Sequence, residues 1–572
     1  MKLPSLVAFA LPGVLAATGG RCPPTGAVLP PPHIPSSFNT PGLRPKLDSL
    51  RNNTALGWNL TTTSFSVTLT SENETFFEYH HTAPVRSQRG GVSKVDGDTV
   101  YRIMSVTKVF NVLALLLTAP RNLDDPISKY VPELDGVEEY EDITLRMLAG
   151  QLSGVPRNGR AFDLYDTYGD ALIKAGFPTP DPKDVPTCDT VTSGTCNRTE
   201  FFDNLLKDDL DWLPGDKVAY SNQAYTLLGF ALQNMTGKSF TELINDKIAM
   251  PLNLSSTGID APDLSRGIIP VGQGQVFYGF DLGNFNATAG IYSTPNDLTS
   301  FVRSILTSKL LTPAQTRQWL KPGAFAGGYT TAVGAPWEIY RLTNLTPDKR
   351  VIDVYTKSGD LPGYSVYMLM LPDYSVGATV MVAGADAYAP SELLLDVVTK
   401  ALVPAVDSLA REQARAVYTG RYTGASGTGN HTNNINGTNS TNSTASSLDL
   451  IIDNGPGLKI KRWINNGKSI LQALAANQGV PVQSLDARLY PVGEKNRWRL
   501  SFETIGTGKE DLSAPSKTCH NWFQVDALRW ASLPVDEFQF NVENGIVKGV
   551  RNLGLRANLS RQNVKGRRLA PL

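Results

Sequence analysis

Ser105 and Lys108 are a pair of residues whose types and spacing could carry out covalent chemistry. The apolar pattern predicts a helix over residues 105–117, ended by Pro120. Residues three apart on a helix share a face, with about 5–6 Å between their Cβ atoms. A partly desolvated lysine could therefore activate the serine hydroxyl, and the unpaired N–H groups of the helix start favour a developing oxyanion. Taken alone, the motif also fits a capping serine beside a solvated lysine.

Tyr220-Ser221-Asn222 is a second candidate, directly before a helix predicted over residues 222–234. Extended backbone would put Tyr220 and Asn222 on one side of the chain, where both could face a cleft. A phenol beside one or two ammonium groups loses its proton more readily and can act as a general base. The Asn222 amide can orient a lysine and a substrate carbonyl. The motif alone also fits a helix cap at Ser221 or Asn222, with Tyr220 at the core edge.

Lys357-Ser358-Gly359 is the third candidate and ends an alternating strand that begins at Val351. A substrate that pairs with a strand edge needs a residue without a side chain there, and Gly359 supplies it. Lys357 offers a cation for a carboxylate or for electrostatic tuning, and Ser358 offers a hydroxyl. The alternative is a plain strand that runs into the turn Leu361-Pro362-Gly363.

The three motifs follow one another in the order S-x-x-K, Y-x-N and K-[ST]-G, on a helix, before a second helix and on a late strand. In this combination the chain resembles the serine β-lactamase and penicillin-binding-protein superfamily, its class C branch most closely, over about residues 46–410. The flanking segments that are similar as well are Leu123-Asp124-Asp125-Pro126, Tyr130-Val131-Pro132-Glu133-Leu134, Ile143-Thr144-Leu145-Arg146-Met147-Leu148, Ser153-Gly154, Pro214-Gly215, Leu227-Leu228-Gly229, Thr236-Gly237-Lys238 and Gly290-Ile291-Tyr292-Ser293-Thr294.

The resemblance implies acyl transfer through a covalent intermediate on Ser105. It gives Lys108 and Tyr220 a shared role as general base and proton relay, and it has Asn222 hold Lys108 and the acyl amide. It places the oxyanion hole at the backbone N–H groups of Ser105 and Asp360, and it has Tyr220 assist deacylation. It implies no cofactor and no metal.

This sequence departs from the family pattern at three places. Ser358 stands where threonine is more usual, which keeps the hydroxyl. Residues 157–211 form an enlarged insertion beside the cleft, so the pocket for β-lactams need not persist. The C-terminal module is absent from simple class C enzymes, although related esterases and D-amino-acid peptidases carry appended barrels. The departures leave the substrate open.

The elements that must position these residues indicate an α/β (α+β) β-lactamase-like domain over residues 46–416. Early strands at residues 64–70 and 76–81 and late strands at 351–359, 364–371 and 376–383 should share one antiparallel sheet. A helical block, which includes a helix over 143–152, lies between them, and a helix over 391–416 closes the domain. Short alternating segments at 448–453, 458–463, 497–502 and 537–542 then predict an all-β, barrel-like domain over 417–572, with a glycosylated loop at 424–447.

The N-terminus and the cysteines indicate a secreted protein. Residues 1–17 read as a signal peptide, and residues 18–45 form a Pro-rich arm. Cys188 and Cys196 bracket a short polar segment and suit a local disulfide, which would leave Cys22 with Cys519 as one of three possible connectivities. N-x-[ST] sequons cluster from Asn430 to Asn442.

The composition and the absence of certain motifs argue against several other classes of protein. Lys plus Arg and Asp plus Glu number 53 each, so no overall charge favours nucleic acid or an anionic membrane, and no second apolar run is long enough to cross a membrane. The absence of G-x-S-x-G disfavours a Ser-His-Asp hydrolase, and the five histidines lack zinc-ligand spacing.

We expect a secreted serine hydrolase acting on an ester, amide or lactam carbonyl of a small-molecule or peptide substrate. An acyltransferase with the same intermediate and a non-catalytic secreted glycoprotein are the alternatives. The oligomeric state is not predicted.

Overall fold

The computed structural model describes residues 22–35, 38, 40–51, 59–161, 163–189, 194–425, 445–494, 496–505, 519 and 521–562. The predicted signal peptide lies outside these residues. The first domain contains an antiparallel sheet of eight strands, and a separate two-stranded pair. Its strands are β1 (Ser64–Ser71), β2 (Thr75–His81), β3 (Tyr101–Arg102), β4 (Tyr292–Ser293), β5 (Ala324–Phe325), β6 (Thr331–Val333), β7 (Glu338–Leu342), β8 (Ile352–Leu361), β9 (Tyr364–Leu371) and β10 (Val376–Ala383).

The large sheet has the order β2-β1-β10-β9-β8-β7-β6-β5, and β3 pairs with β4. Strand β1 pairs with β10 from Ser64 opposite Ala383 to Ser71 opposite Val376. This pairing confirms the expectation that the early and late strands form one sheet. Both faces of the sheet are covered, so every residue of β1, β9 and β10 is buried. Double burial explains why β9 and β10 are mostly apolar, whereas β1 alternates apolar residues with small buried serines and threonines.

The helices of the first domain cover the two faces of the sheet. They are α1 (Leu43–Arg51), α2 (Thr107–Thr118), α3 (Leu145–Ala149), α4 (Leu164–Lys174), α5 (Arg198–Leu205), α6 (Asn222–Thr236), α7 (Phe240–Ile244), α8 (Met250–Leu252), α9 (Asn286–Ala289), α10 (Pro295–Leu306), α11 (Pro313–Trp319) and α12 (Tyr388–Tyr418). Val366 and Met368 pack into the core on the side of α2 and α6, whereas Tyr367 and Leu369 pack towards α12. Period-two alternation along β9 thus divides the apolar residues between two cores.

Four predicted helices begin or end elsewhere, and two of them, those predicted over 222–234 and 391–416, are longer than predicted, at Asn222–Thr236 and Tyr388–Tyr418. The helix expected from Ser105 begins at Thr107, because residues Met104–Val106 form a 3₁₀ turn. The helix expected over 143–152 is confined to Leu145–Ala149. Thr144 caps its start by accepting a hydrogen bond from the Met147 amide, and Gln151 adopts a left-handed φ of 60° after its end. The left-handed conformation is one in which a helix cannot continue.

The second domain is a closed β-barrel of eight strands, as the alternating C-terminal pattern predicts. Its elements are β11 (Gly420–Ala425), β12 (Ala445–Ile451), β13 (Leu458–Asn465), β14 (Lys468–Ser469), α13 (Ile470–Asn477), β15 (Leu485–Pro491), β16 (Arg497–Thr504), β17 (Arg529–Trp530), β18 (Leu533–Pro534), β19 (Glu537–Glu543), β20 (Ile546–Asn552) and β21 (Ala557–Arg561). The order is β12-β11-β21-β20-β19-β16-β15-β13, and β12 pairs with β13 to close the barrel.

The predicted glycosylated loop is shorter than residues 424–447. Residues 424–425 belong to β11 and residues 445–447 belong to β12, since Gly424 pairs with Ser446 and Thr423 with Ser447. The rest of that loop lies outside the described residues.

Three features join the arm, the barrel and the sheet domain. Both expected disulfides are present: Cys22–Cys519 connects the arm with the second domain, whereas Cys188–Cys196 is local to the first domain. Val28 and Leu29 of the Pro-rich arm are buried in the barrel core, so the arm is packed rather than free. Arg411 of α12 donates to the carbonyl of Gly455 in the barrel at 2.8 Å. Within the described residues, no helix combines the length and apolar character needed to cross a membrane.

Candidate active site

Ser105 lies in the tight turn directly before α2. Met104, the residue before it, is buried and has a left-handed φ of 41°, which is a strained conformation for a side chain of this size. The turn is fixed because the Ile103 amide donates to Ile291 O at 3.0 Å and the Val106 amide donates to Ile103 O at 3.1 Å. The position of Ser105 is thus set by the strained backbone of this turn and not by the first turn of an α-helix.

Lys108 is completely buried and reaches back to the serine. Its Nζ donates to Ser105 Oγ at 3.0 Å, to Asn222 Oδ1 at 2.8 Å and to the carbonyl of Thr288 at 3.2 Å. All three acceptors are neutral. Burial is the main reason that the pKa of Lys108 falls to about 8, and the nearby Lys357 ammonium lowers it further. A lysine with this pKa can release its proton near neutral pH.

Tyr220 contacts the same serine from the other side. Its hydroxyl donates to Ser105 Oγ at 2.8 Å. Burial acts to raise the pKa of Tyr220, but the ammonium groups of Lys108 and Lys357 outweigh burial and lower it to about 8. Lys108 and Tyr220 therefore titrate as one coupled pair in contact with Ser105. Loss of one proton from this pair leaves a base within hydrogen-bond distance of the serine hydroxyl.

The start of α6 fixes Tyr220 and Asn222. Ser221 is the cap, because its Oγ accepts from the Ala224 amide at 2.9 Å and donates to Pro156 O at 3.0 Å. The Asn222 side chain donates to Asn158 Oδ1 at 2.7 Å, which turns its own oxygen towards Lys108. The sequence left the cap open between Ser221 and Asn222, and the structure gives it to Ser221.

Lys357 and Ser358 form an anion-binding group that already holds a carboxylate. Glu338, at the start of β7, accepts a hydrogen bond from Lys357 Nζ on Oε1. The Ser358 hydroxyl also donates to Oε1 at 3.0 Å, and the Ser358 amide donates to Oε2 at 2.8 Å. Burial alone would lower the pKa of Lys357, but the Glu338 carboxylate outweighs burial and raises it. Lys357 therefore stays charged.

Gly359 is needed for a close approach to the nucleophile. A Cβ at this position would lie 2.2 Å from Ile103 O and 2.9 Å from the Ser105 amide nitrogen. The sequence assigned Gly359 to substrate pairing, whereas the structure puts the backbone around Ser105 against it. The glycine thus brings the Ser105 amide against β8.

The Asp360 amide is expected to face the cleft. In a strand, the amides of alternate residues point to the same edge, and the Ser358 amide points to the β7 edge, where it meets Glu338. The register with β7 ends at the pair Glu338–Thr356, so β7 does not pair with β8 beyond Thr356. This direction suits the oxyanion role that the family resemblance implies for Ser105 and Asp360. The Asp360 carboxylate accepts from Ser365 Oγ at 2.5 Å.

The structure brings the sequence-predicted residues Ser105, Lys108, Tyr220, Asn222, Lys357, Ser358, Gly359 and Asp360 into one site. Three further residues were not predicted. Glu338 holds Lys357, Asn158 orients Asn222, and the Arg157 guanidinium carbon lies 4.8 Å from the centroid of the Tyr220 ring. No motif marks Glu338, and the only signal for Arg157 and Asn158 is their position soon after Ser153-Gly154.

Comparison with known proteins gives a family to both domains. Residues 62–401 match the family described as Beta-lactamase, and residues 410–563 match the one described as Beta-lactamase-like-like, C-terminal domain. A beta-lactamase-like protein of Arthroderma benhamiae is 32% identical over 589 residues, covering 95% of this chain and 96% of that protein.

Two other relatives are named as enzymes. The probable hydrolase M10 of a Phoma species is 28% identical over 423 residues, covering 72% of this chain and 67% of that protein. The D-alanyl-D-alanine-carboxypeptidase/endopeptidase AmpH of Escherichia coli K12 is 28% identical over 334 residues, covering 55% of this chain and 78% of that protein.

The fold is that of a β-lactamase-like domain followed by a closed β-barrel. The chain belongs to the β-lactamase family, and its named relatives support the hydrolase class.

Proposed function

We propose that the protein is a hydrolase that cleaves an ester, amide or lactam through an acyl-enzyme on Ser105. The observation that carries this proposal is the serine hydroxyl held between two groups whose pKa values are each lowered to about 8. Lys108 Nζ lies 3.0 Å from Ser105 Oγ, and Tyr220 Oη lies 2.8 Å from it. Such matching of the base to the working pH is a feature of general-base catalysis.

In the proposed acylation, Ser105 Oγ attacks the substrate carbonyl carbon while its proton moves to the Lys108–Tyr220 pair. The carbonyl oxygen becomes an oxyanion that accepts from the amides of Ser105 and Asp360. The pair then gives the proton to the leaving group as its bond to the carbonyl carbon breaks. Asn222 keeps Lys108 in place throughout.

In the proposed deacylation, a water molecule attacks the same carbonyl carbon and loses a proton to the pair. The bond to Ser105 Oγ breaks, and Oγ recovers a proton from the pair, which restores the starting state. Tyr220 is the better placed acceptor when Lys108 keeps its proton, because the Lys108 and Lys357 cations stabilise the phenolate.

Transfer of the acyl group to an acceptor other than water uses the same residues and is the second candidate. Names of relatives, among them a probable hydrolase and a carboxypeptidase/endopeptidase, favour water as the acceptor. A non-catalytic secreted glycoprotein is the third reading, and no observation in the site favours it.

The test is turnover of a p-nitrophenyl ester by the full-length protein, by Ser105→Ala and by Ser304→Ala. Ser304 is a matched control, since it is buried in α10 and its Oγ donates to Phe301 O at 2.7 Å. We expect steady p-nitrophenol release by the wild type and by Ser304→Ala, and none above background by Ser105→Ala. Equal rates for Ser105→Ala and wild type would refute the proposal. Analysis of the acyl product with an added alcohol separates hydrolysis from transfer.

We also propose that the protein is secreted and glycosylated. The signal-like residues 1–17, the sequons and the two disulfides support this, because disulfides persist in oxidising compartments. Recovery of the protein from culture medium with an N-terminus near residue 18 is the expected result. An intracellular protein that begins at residue 1 would contradict it.

A further inference from the structure

Arg157 is an exposed cation at the candidate active site, directly after the buried residues Val155 and Pro156. Its guanidinium carbon lies 4.8 Å from the centroid of the Tyr220 ring, and the Tyr220 hydroxyl donates to Ser105 Oγ at 2.8 Å. One tyrosine side chain therefore separates this cation from the nucleophile. A substrate that reacts with Ser105 comes within reach of it.

The backbone of Arg157 is fixed against the start of α6. Its carbonyl accepts hydrogen bonds from the amides of Asn222 at 2.8 Å and of Gln223 at 3.3 Å. Gly159 has a left-handed φ of 55°, and a Cβ there would lie 2.1 Å from Gln223 Nε2. The segment packs so closely on α6 that its backbone sets the position of Arg157 beside Tyr220.

Arg157 has no acidic partner among the described residues. Lys357 differs, because it donates to the Glu338 carboxylate. Arg160 differs as well, because its guanidinium lies 4.0 Å from the carboxylate of Asp208. Arg157 thus carries a positive charge that no side chain in the described part of the chain neutralises.

The guanidinium of Arg157 is also free to donate hydrogen bonds, since none of its N–H groups donates to another described residue. The Tyr220 ring attracts the cation through its π face and does not offer the oxygen acceptors of a carboxylate. Two parallel N–H groups of a guanidinium match the two oxygens of a carboxylate, and the planar fork loses little freedom when it binds. The ligand that suits this side chain is therefore a carboxylate.

We propose that Arg157 binds a carboxylate of the acyl group, so that this enzyme prefers esters and amides whose acyl group carries a second carboxyl group. This inference rests on the proposed acyl-enzyme function and names its substrate class. The acyl part is assigned because Arg157 adjoins Asn222, whose side-chain amide can orient a substrate carbonyl. A carboxylate on that part pairs with Arg157 by charge-assisted hydrogen bonds while the reacting carbonyl lies at Ser105.

The experiment compares the mono-p-nitrophenyl esters of adipic acid and suberic acid with the p-nitrophenyl esters of the corresponding half-amides. Each kcat/KM is measured above the spontaneous rate, because a carboxylate can attack its own ester. We expect the wild type to prefer the half-acid by about tenfold or more at one or both chain lengths. Arg157→Gln should reduce this preference by about tenfold, whereas Arg157→Lys should keep part of it, because the charge remains and the planar fork is lost.

Two controls make the result specific. Arg44→Gln removes an arginine in the same kind of contact, 5.0 Å from the centroid of the Phe77 ring, in α1, which packs in the core on the α12 side of the sheet. It should leave the preference unchanged. Acetyl esters of nitrophenol with and without a carboxylate on the phenol place the charge on the leaving group, and their ratio should be the same in the wild type and in Arg157→Gln.

A wild type with no preference for the half-acid at either chain length overturns the inference, and this result does not depend on the folding of any variant. An unchanged preference in folded Arg157→Gln overturns it as well, because equal losses on both esters would mean that Arg157 acts on Tyr220 and not on the substrate. A dependence on Arg157 that follows a carboxylate on the leaving phenol would overturn the assignment to the acyl group. Failure of all esters to react, together with no labelling of Ser105, would instead overturn the proposed function.

Discussion

Gly359→Ala should inactivate the site without unfolding the protein. The new Cβ would lie 2.2 Å from Ile103 O and 2.9 Å from the Ser105 amide nitrogen, and real Cβ atoms do not approach closer than 3.0 Å. Both neighbours are backbone atoms, so the turn that carries Ser105 must move. A displacement of roughly 1 Å in a reacting group costs about 10²-fold in rate. We therefore expect kcat/KM to fall by about 10²-fold, or about 2.7 kcal/mol of transition-state stabilisation.

The assay is p-nitrophenyl ester hydrolysis, with far-UV circular dichroism and a thermal melt to show that the variant is folded. Gly279→Ala is the matched control, since Gly279 has φ −99° and its added Cβ would meet nothing within 4 Å. It should retain wild-type activity. A folded Gly359→Ala with kcat/KM within about twofold of the wild type would show that β8 does not position the nucleophile.

Two further predictions follow from buried charges. The wild-type kcat/KM should fall as pH drops through about 8, because the Lys108–Tyr220 pair gains the proton that it must lose to act as a base. Lys357→Met removes a cation that stabilises the Tyr220 phenolate. In this variant the fall of kcat/KM on acidification should therefore occur at higher pH than in the wild type. A fall at the same pH in both proteins would contradict the role of the Lys108–Tyr220 pair as the base. Arg411→Met leaves the buried carboxylates of Asp348 and Asp407 short of a partner, and urea unfolding should show a loss of about 3–5 kcal/mol. Arg421→Met, at the exposed pair with Asp449, should cost only about 0–1 kcal/mol, and equal losses in both variants would contradict this account.

The catalytic residues could be predicted because their chemistry depends on order and spacing that remain visible in the chain. Ser105 and Lys108 are separated by one turn, and Tyr220 and Asn222 directly precede the regular α6. Long apolar strands were equally clear, and β9 and β10 have the predicted bounds because both their faces are buried.

The surroundings of the site could not be predicted, because long-range contacts determine them. Glu338 is one acidic residue at the start of a five-residue strand, and its role depends on the register that puts it opposite Thr356. The sequence predicts an α-helix from Ser105, where the structure has a 3₁₀ turn, because an apolar run does not distinguish an α-helix from a 3₁₀ turn. Its cause lies in contacts with Ile291 and Gly359, which are far away in the chain.

In the sequence, the only sign of the barrel is the alternation of apolar and polar residues in short segments. Segments such as β13 and β16 were recognised from their period-two pattern, but β11 and β21 contain few apolar residues and were missed. Their pairing, with Tyr422 opposite Arg561, helps to close the barrel. Closure of the barrel pairs the backbone N–H and C=O groups of strands that would otherwise be edges, even where these strands contain few apolar residues.

The most direct test of the central claim is the mass of the protein after reaction with a fluorophosphonate. We expect a single adduct on the deglycosylated wild type, located by peptide mapping at Ser105 and absent from Ser105→Ala. Labelling should be slower in Lys108→Met, because the buried amine no longer contacts the hydroxyl. An adduct that persists in Ser105→Ala, or a folded wild type that hydrolyses esters without labelling at Ser105, would contradict the account.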